Sequence, residues 1–280
     1  MKTMKAVAGF GITLTLMASI LSACGSNDSN SASNAGNSGS SADEKTLIVG
    51  TQNDYPPFAY VDDKNELTGY DVEVLKEVDK RLDGYKFDFA PTTWDSIFLS
   101  LESNKIQLIA DEVAKSPERE EKYLFSDTSY FAAQSVIIVK KGRTDIQSLK
   151  DLEGKNVGAV AGDSYTMLLE DYNKKNGNKI NLKYSESTSP ADILQDVQSG
   201  RLDAYVNDPV MTNAIIKKQG FDLDIVGEPV TSDNIAIVFA KDKQGEDLKA
   251  KIDPILKAMK DDGTLAELSK KWTEGEYIPQ

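Results

Sequence analysis

The chain has 280 residues, with 32 lysines and arginines against 45 aspartates and glutamates, a formal charge of −13 at neutral pH. That acidity disfavours a nucleic-acid partner. The absence of histidine excludes a His-based triad, an imidazole base and a His-ligated metal, and the lone cysteine, Cys24, excludes an intrachain disulfide.

In chain order, Met1 to Lys5 carry two lysines and Ala6 to Ala23 carry no charge. A basic start followed by an apolar run is the pattern of a secretory signal, here residues 1–23. The run is short for a membrane span of roughly 20 residues. Leu21-Ser22-Ala23-Cys24 is similar to the lipobox of bacterial lipoproteins, which implies cleavage before Cys24 and a lipid on that residue. Gly25 to Ser41 is almost wholly Gly, Ser, Asn and Ala, too poor in apolar surface to offset its ordering entropy, so 24–44 reads as a flexible tether.

From Lys45 onward, short apolar runs alternate with helical patterns. Thr46–Gly50, Lys86–Ala90 and Ile106–Ala110 read as strands. Asp71–Leu82 reads as a helix from Val72, Leu75, Val78 and Leu82, and Trp94, Ile97, Phe98 and Leu101 mark another. This β-α-β-α-β order implies a parallel sheet with right-handed crossovers. Between them, Asp62-Asp63-Lys64-Asn65-Glu66 lacks the spacing and glycine of an EF-hand loop and reads as a solvated turn. A second such module follows Ser135–Lys140. Its strands are Asn156–Val160, Ile180–Tyr184 and Asp203–Asn207, and its helices run from Ser164 to Lys174, from Pro190 to Gln198 and onward from Pro209. Ser189 and Asp192 have the spacing of a capping box. Asn234–Ala240 precedes two helices without strands of their own, Glu246–Lys260 and Thr264–Trp272. Two α/β modules facing each other predict a cleft at the carboxyl ends of their strands. No P-loop or dinucleotide fingerprint is present, and no cofactor is expected.

Across Leu47 to Trp272 the chain resembles the family 3 extracellular solute-binding proteins, the polar amino-acid receptors of ABC importers. The marks are Val49-Gly50-Thr51 leading to Tyr55-Pro56-Pro57-Phe58, then Gly69-Tyr70-Asp71-Val72, Trp94-Asp95, Ser116-Pro117-Glu118-Arg119, Phe125-Ser126-Asp127, Asp203 to Asp208 and Asp262-Gly263-Thr264-Leu265. The resemblance implies a type II, two-lobed α/β fold with two hinge crossovers and the ligand between the lobes. Lobe one is expected at 45–133 plus 232–280 and lobe two at 134–231. It further implies a monomeric, lipid-anchored receptor on the extracellular face, with an amino-acid ligand and permease subunits as partners.

The same resemblance implies the pocket. Arg119 matches the arginine that grips the α-carboxylate, with a planar guanidinium suited to paired bonds. Asp208 matches the carboxylate that accepts the α-ammonium, Tyr55 and Trp94 the aromatic walls, and Ala114 a further pocket position. Gly162, Asp163 and Ser164 lead into a helix start that favours an anion. Taken alone these residues have plainer roles: Arg119 a surface residue among Glu118, Glu120 and Glu121, Asp208 a cap for the helix at Pro209, Trp94 core, Tyr55 a turn residue. Gln52 stands where many relatives selective for cationic amino acids carry a carboxylate. Ala110-Asp111-Glu112-Val113-Ala114 is most similar to the cystine-binding subgroup, whose members often carry Asn-Gln where this chain has Asp111 and Glu112. A desolvated carboxylate there is costly without a cation, which suggests a ligand with a second ammonium: cystine first, then lysine, another cationic amino acid or diaminopimelate. Dehydratases similar to arogenate or cyclohexadienyl dehydratase share the fold and stand as an enzymatic alternative, with Glu112 as acid; a sensor feeding a receptor is a third.

Overall fold

In β1 (Lys45–Thr51) Leu47 and Val49 are fully buried, and the strand lies at the centre of the first sheet's parallel half. The computed structural model describes residues 44–275 and 277–279; the leader, Cys24 and the tether up to residue 43 lie outside the described residues. A small antiparallel sheet that the sequence did not announce follows, of β2 (Asp54–Tyr55), β3 (Ala59–Val61) and β4 (Leu67–Thr68). The acidic stretch is its second turn, closed by Asp62 Oδ1 accepting from the backbone N–H of Lys64 and Glu66. Gly69 then admits α1 (Tyr70–Arg81): its φ is +127°, and a Cβ there would sit 2.2 Å from the Phe58 carbonyl oxygen.

β5 (Tyr85–Pro91) pairs parallel with one side of β1, and β6 (Leu108–Ile109), after α2 (Trp94–Glu102), pairs parallel with the other. The strand expected over Ile106–Ala110 is shorter because the Gln107 side chain, rather than a ladder carbonyl, accepts from Ile48 N at 2.8 Å. α3 (Pro117–Lys122) and β7 (Tyr123–Phe125) follow. β8 (Phe131–Lys140) is longer than the Ser135–Lys140 expected and leads into the second sheet.

That sheet is built from β9 (Asn156–Ala159), α4 (Ser164–Asn176), β10 (Asn181–Tyr184), α5 (Pro190–Ser199), β11 (Ala204–Asn207), α6 (Pro209–Gln219) and β12 (Leu223–Ile235). The capping box does not form. Ser189 makes no side-chain cap bond and faces Asp54 instead, while Asp192 accepts from the Ser187 hydroxyl at 2.6 Å. The chain returns through β12 to β13 (Val238–Ala240) in the first sheet. α7 (Lys243–Asp261) and α8 (Thr264–Thr273) then pack on α1 and on each other, and α7 also packs on β13. α7 starts before the expected Glu246 because Asp242 caps it and Gly245 fits where a Cβ would lie 1.9 Å from the Ala240 oxygen.

The sheets share a plan. Strand order is β5-β1-β6-β13-β7 in one and β10-β9-β11-β8-β12 in the other; in each, three parallel strands end against an antiparallel one, β13 or β8. β8 and β12 join the two lobes and pair antiparallel with each other, with a register shift between Val226 and Thr231. The Ser135 and Thr231 hydroxyls, 2.8 Å apart, tie the ladder beside that shift. Tyr277 O accepts from Ala132 N at 2.7 Å, so the C-terminal segment lies along this connection.

Candidate ligand cleft between the lobes

The carboxyl ends of β1, β6 and β11 and the N-terminal ends of α2, α4 and α5 converge on a small cavity of about 40 Å³. Of the residues singled out above, Gln52, Tyr55, Trp94, Asp111, Glu112, Asp163 and Ser164 line it. Val160, Tyr165, Thr188, Pro190, Tyr205 and Asn207 complete the lining and escaped the sequence reading. For Asn207 a signal existed, since it closes the strand before Asp208; nothing in the pattern pointed to Tyr165 or Thr188.

The lobes are hydrogen-bonded to each other over this cavity. Tyr55 Oη donates to Asn207 Oδ1 at 2.8 Å, Arg119 Nη2 to Gly162 O at 2.8 Å, Trp94 Nε1 to Ala161 O at 3.3 Å, and Tyr165 Oη to Glu112 Oε1 at 3.4 Å. Asn207 Nδ2 continues the first of these to Tyr205 Oη at 2.6 Å.

Arg119, Asp208, Ala114 and Gly162 stand behind the lining rather than in it. Arg119 is buried, not the surface residue its acidic neighbours suggested, and it lies over the Trp94 and Phe98 rings at 5.6 and 5.8 Å. Its Nη1 donates to Ala114 O at 2.9 Å and its Nη2 to Gly162 O, which occupies two of the five N–H donors of a guanidinium. Ala114 and Gly162 therefore act through their carbonyls. Asp208 is the cap of α6, as its plainer reading had it: Oδ1 accepts from Val210 N and Met211 N at 2.7 and 3.1 Å, and Oδ2 from Gln134 N at 3.4 Å. Asp163 likewise caps α4 through Thr166 N.

The acids are the unusual feature. Asp71, Asp111, Glu112 and Asp208 are all buried, and none is in an ion pair among the described residues. Asp71 Oδ2 accepts from Glu112 N at 2.8 Å; Asp111 Oδ1 accepts from Gln52 N at 2.8 Å and Thr51 Oγ1 at 3.3 Å. Asp71 Oδ1, Asp111 Oδ2 and the Tyr130 hydroxyl are buried without a hydrogen bond of standard geometry. Burial pushes the Asp71 carboxyl up to about 7 and those of Asp208 and Asp163 to about 6. It pushes Asp111 and Glu112 well above the carboxylate range, with the charges of Asp208 and Asp71 raising Glu112 further. The phenols of Tyr55 and Tyr165 rise for the same reason, burial first and then Glu112.

The model of bacterial extracellular solute-binding proteins, family 3, matches residues 47–275. A probable amino-acid-binding protein of Bacillus subtilis is 38% identical over 93% of both chains. The L-cystine-binding protein TcyA of the same organism is 39% identical over 93% of this chain and 96% of its own. Among solved structures, a putative L-cystine ABC transporter protein from Listeria monocytogenes matches with a TM-score of 0.77 at 34% identity, covering 84% of this chain and 98% of that one. An ancestral arginine-binding protein bound to arginine matches at 0.74 and 34%, over 82% and 99%.

Proposed function

The chain belongs to the bacterial extracellular solute-binding proteins of family 3, and from that premise we propose that it captures a polar amino acid, L-cystine foremost, and delivers it to the permease of an ABC importer. The observation that carries the reading is the cavity itself: both lobes line it, and four hydrogen bonds from one lobe to the other close over it. Ligand-driven closure of two lobes about a hinge is the motion a transporter can sense. The family is one of solute-binding proteins, so the dehydratase alternative falls away.

In this reading the ligand enters with the lobes apart, and its α-carboxylate reaches past the present lining to the remaining N–H donors of Arg119 beside Ser164. The α-ammonium meets Asp208, three of whose roughly four acceptor sites are occupied. Lobe one spans 45–133 plus 232–280 and lobe two 134–231. The leader at 1–23 and a lipid on Cys24 hold the monomer at the outer face of the membrane. The L-cystine-binding relatives support the leading ligand, and the acidic lining supports a second reading, a cationic amino acid.

Calorimetric titration of the mature protein against all proteinogenic amino acids and L-cystine tests this. Saturable binding should be strongest for L-cystine and should shrink the radius of gyration in X-ray scattering. Binding of none of them removes the proposal. Retention of Cys24→Ala on the membrane as processed protein would remove the anchor.

A further inference from the structure

Three carboxyls line the cavity, Asp111, Glu112 and Asp163, together with four aromatic rings and no lysine or arginine. The carboxyls differ in what already holds them. Asp163 is the cap of α4. Asp111 has one oxygen committed to Gln52 N and Thr51 Oγ1 and the other buried without accessible surface. Among the described residues the Glu112 carboxylate takes no main-chain bond; Tyr165 Oη donates to it at a long 3.4 Å, and the Tyr55 hydroxyl also acts on it.

Glu112 is also a backbone outlier. Its φ is +49°, the left-handed region a side-chain-bearing residue occupies at a cost. It is held there by its own N–H, which donates to Asp71 Oδ2 at 2.8 Å from the first turn of α1. The fold thus fixes a strained residue, 8% exposed, at the wall of the cleft with no cation paired to it among the described residues, so that burial favours its protonated form. A buried carboxylate without a partner is destabilising, and a cation relieves it.

We infer that Glu112 is the specificity-determining residue of this cleft and that it selects α-amino acids carrying a second ammonium group. The inference rests on the amino-acid reading above and deepens it. Asp111 is a positioning residue that fixes the Thr51–Gln52 segment from beneath, so the adjacent acids that looked alike in sequence have separate tasks.

Titrations with L-lysine and L-cystine, which have the second ammonium, and with L-glutamine and L-methionine, which lack it, decide the matter. Glu112→Gln should weaken the first pair by roughly 5- to 150-fold relative to the second. Glu112→Asp, which keeps the charge, should recover part of that preference, and the melting temperature of each variant reports folding. Asp111→Asn should shift all ligands by one common factor. In wild type the preference should also fade as pH falls and Glu112 takes up a proton. The groups facing it are Asp71 of α1, Asp111 beside it, Asp208 before α6, Asp163 before α4, Tyr130, and Tyr55, Tyr165 and Tyr205. Glu112→Gln should abolish that ligand-dependent pH response while leaving any common one.

Equal losses for all four ligands, or none, overturn the inference, and so does a wild type that binds only L-glutamine or L-methionine; the receptor assignment survives each of these. A wild type that binds no amino acid removes both.

Discussion

Two populations of carboxylate in this molecule are chemically identical and physically opposite. On the second lobe's surface, Asp145 accepts from Arg143 Nε at 2.7 Å, from Arg143 Nη2 at 3.2 Å and from Lys155 Nζ at 2.8 Å, and these cations hold its carboxyl well below the usual range. Arg143 reaches on to Asp203 Oδ1 at 2.8 Å. Around the cleft, Asp71, Asp111, Glu112 and Asp208 have, among the described residues, hydroxyl and main-chain donors only, and burial pushes them the other way. The contrast shows that where a fold places its cations says what each acid is for. Asp145 and Asp203 are neutralised within the chain, while the cleft acids have no cation paired with them among the described residues.

The pH dependence of stability should expose the contrast most strongly. A carboxyl with a raised native pKa holds its proton more tightly folded than unfolded, so its contribution is complete below the unfolded value near 4. It is lost as pH rises through the native value. With Asp163 and Asp208 at about 6 and Asp71 at about 7, the ligand-free protein should lose stability between pH 4 and 7. The slope is about 1.4 kcal/mol per pH unit for each group across its window. Asp145 and Asp262, lowered by their cations and hydrogen bonds, contribute fully above the unfolded value near 4 and lose that contribution as pH falls through their native values, so the maximum should fall at about pH 4. Urea midpoints from pH 4 to 8 measure this, and a maximum at neutral pH would erase the distinction.

A smaller effect follows from Asp71→Ala, which leaves the Glu112 N–H buried without an acceptor. At pH 5 it should cost about 1–3 kcal/mol. At pH 8 it should cost less, because the same change removes a buried charge. A cost that rises with pH would mean that Asp71 is paired after all.

The least effect belongs to the surface set. Asp145→Asn should shift the urea midpoint slightly at low ionic strength and within scatter in about 1 M salt, since exposed pairs are screened. A loss that persists in salt would place Asp145 with the cleft acids.

The sequence revealed the sheets and most helices because their apolar residues recur at strand or helix spacing: Leu47 and Val49 in β1, Val72, Leu75 and Val78 in α1. What it hid was side-chain to main-chain chemistry. Gln107 replaces a ladder carbonyl and Ser189 turns from its helix to Asp54; neither has a periodic signature. The family pattern marked Arg119 and Asp208 as pocket residues, yet their partners are carbonyls and amides that any sequence supplies. Tyr165 reaches the cavity only because the lobes meet, a long-range event without local trace.

The contact between Tyr277 O and Ala132 N has a consequence for how the segment tolerates change. It joins main chain to main chain, so substitution at either residue, proline at 132 excepted, leaves donor and acceptor in place. Tyr277 N in turn donates to Ser269 Oγ at 3.0 Å, which fixes the span between α8 and the hinge strand. Inserting or deleting a single residue between 270 and 276 would therefore do what few point mutations could, by pulling the strap off the connection between the lobes. The trait under constraint here is a length, which a comparison made letter by letter does not register.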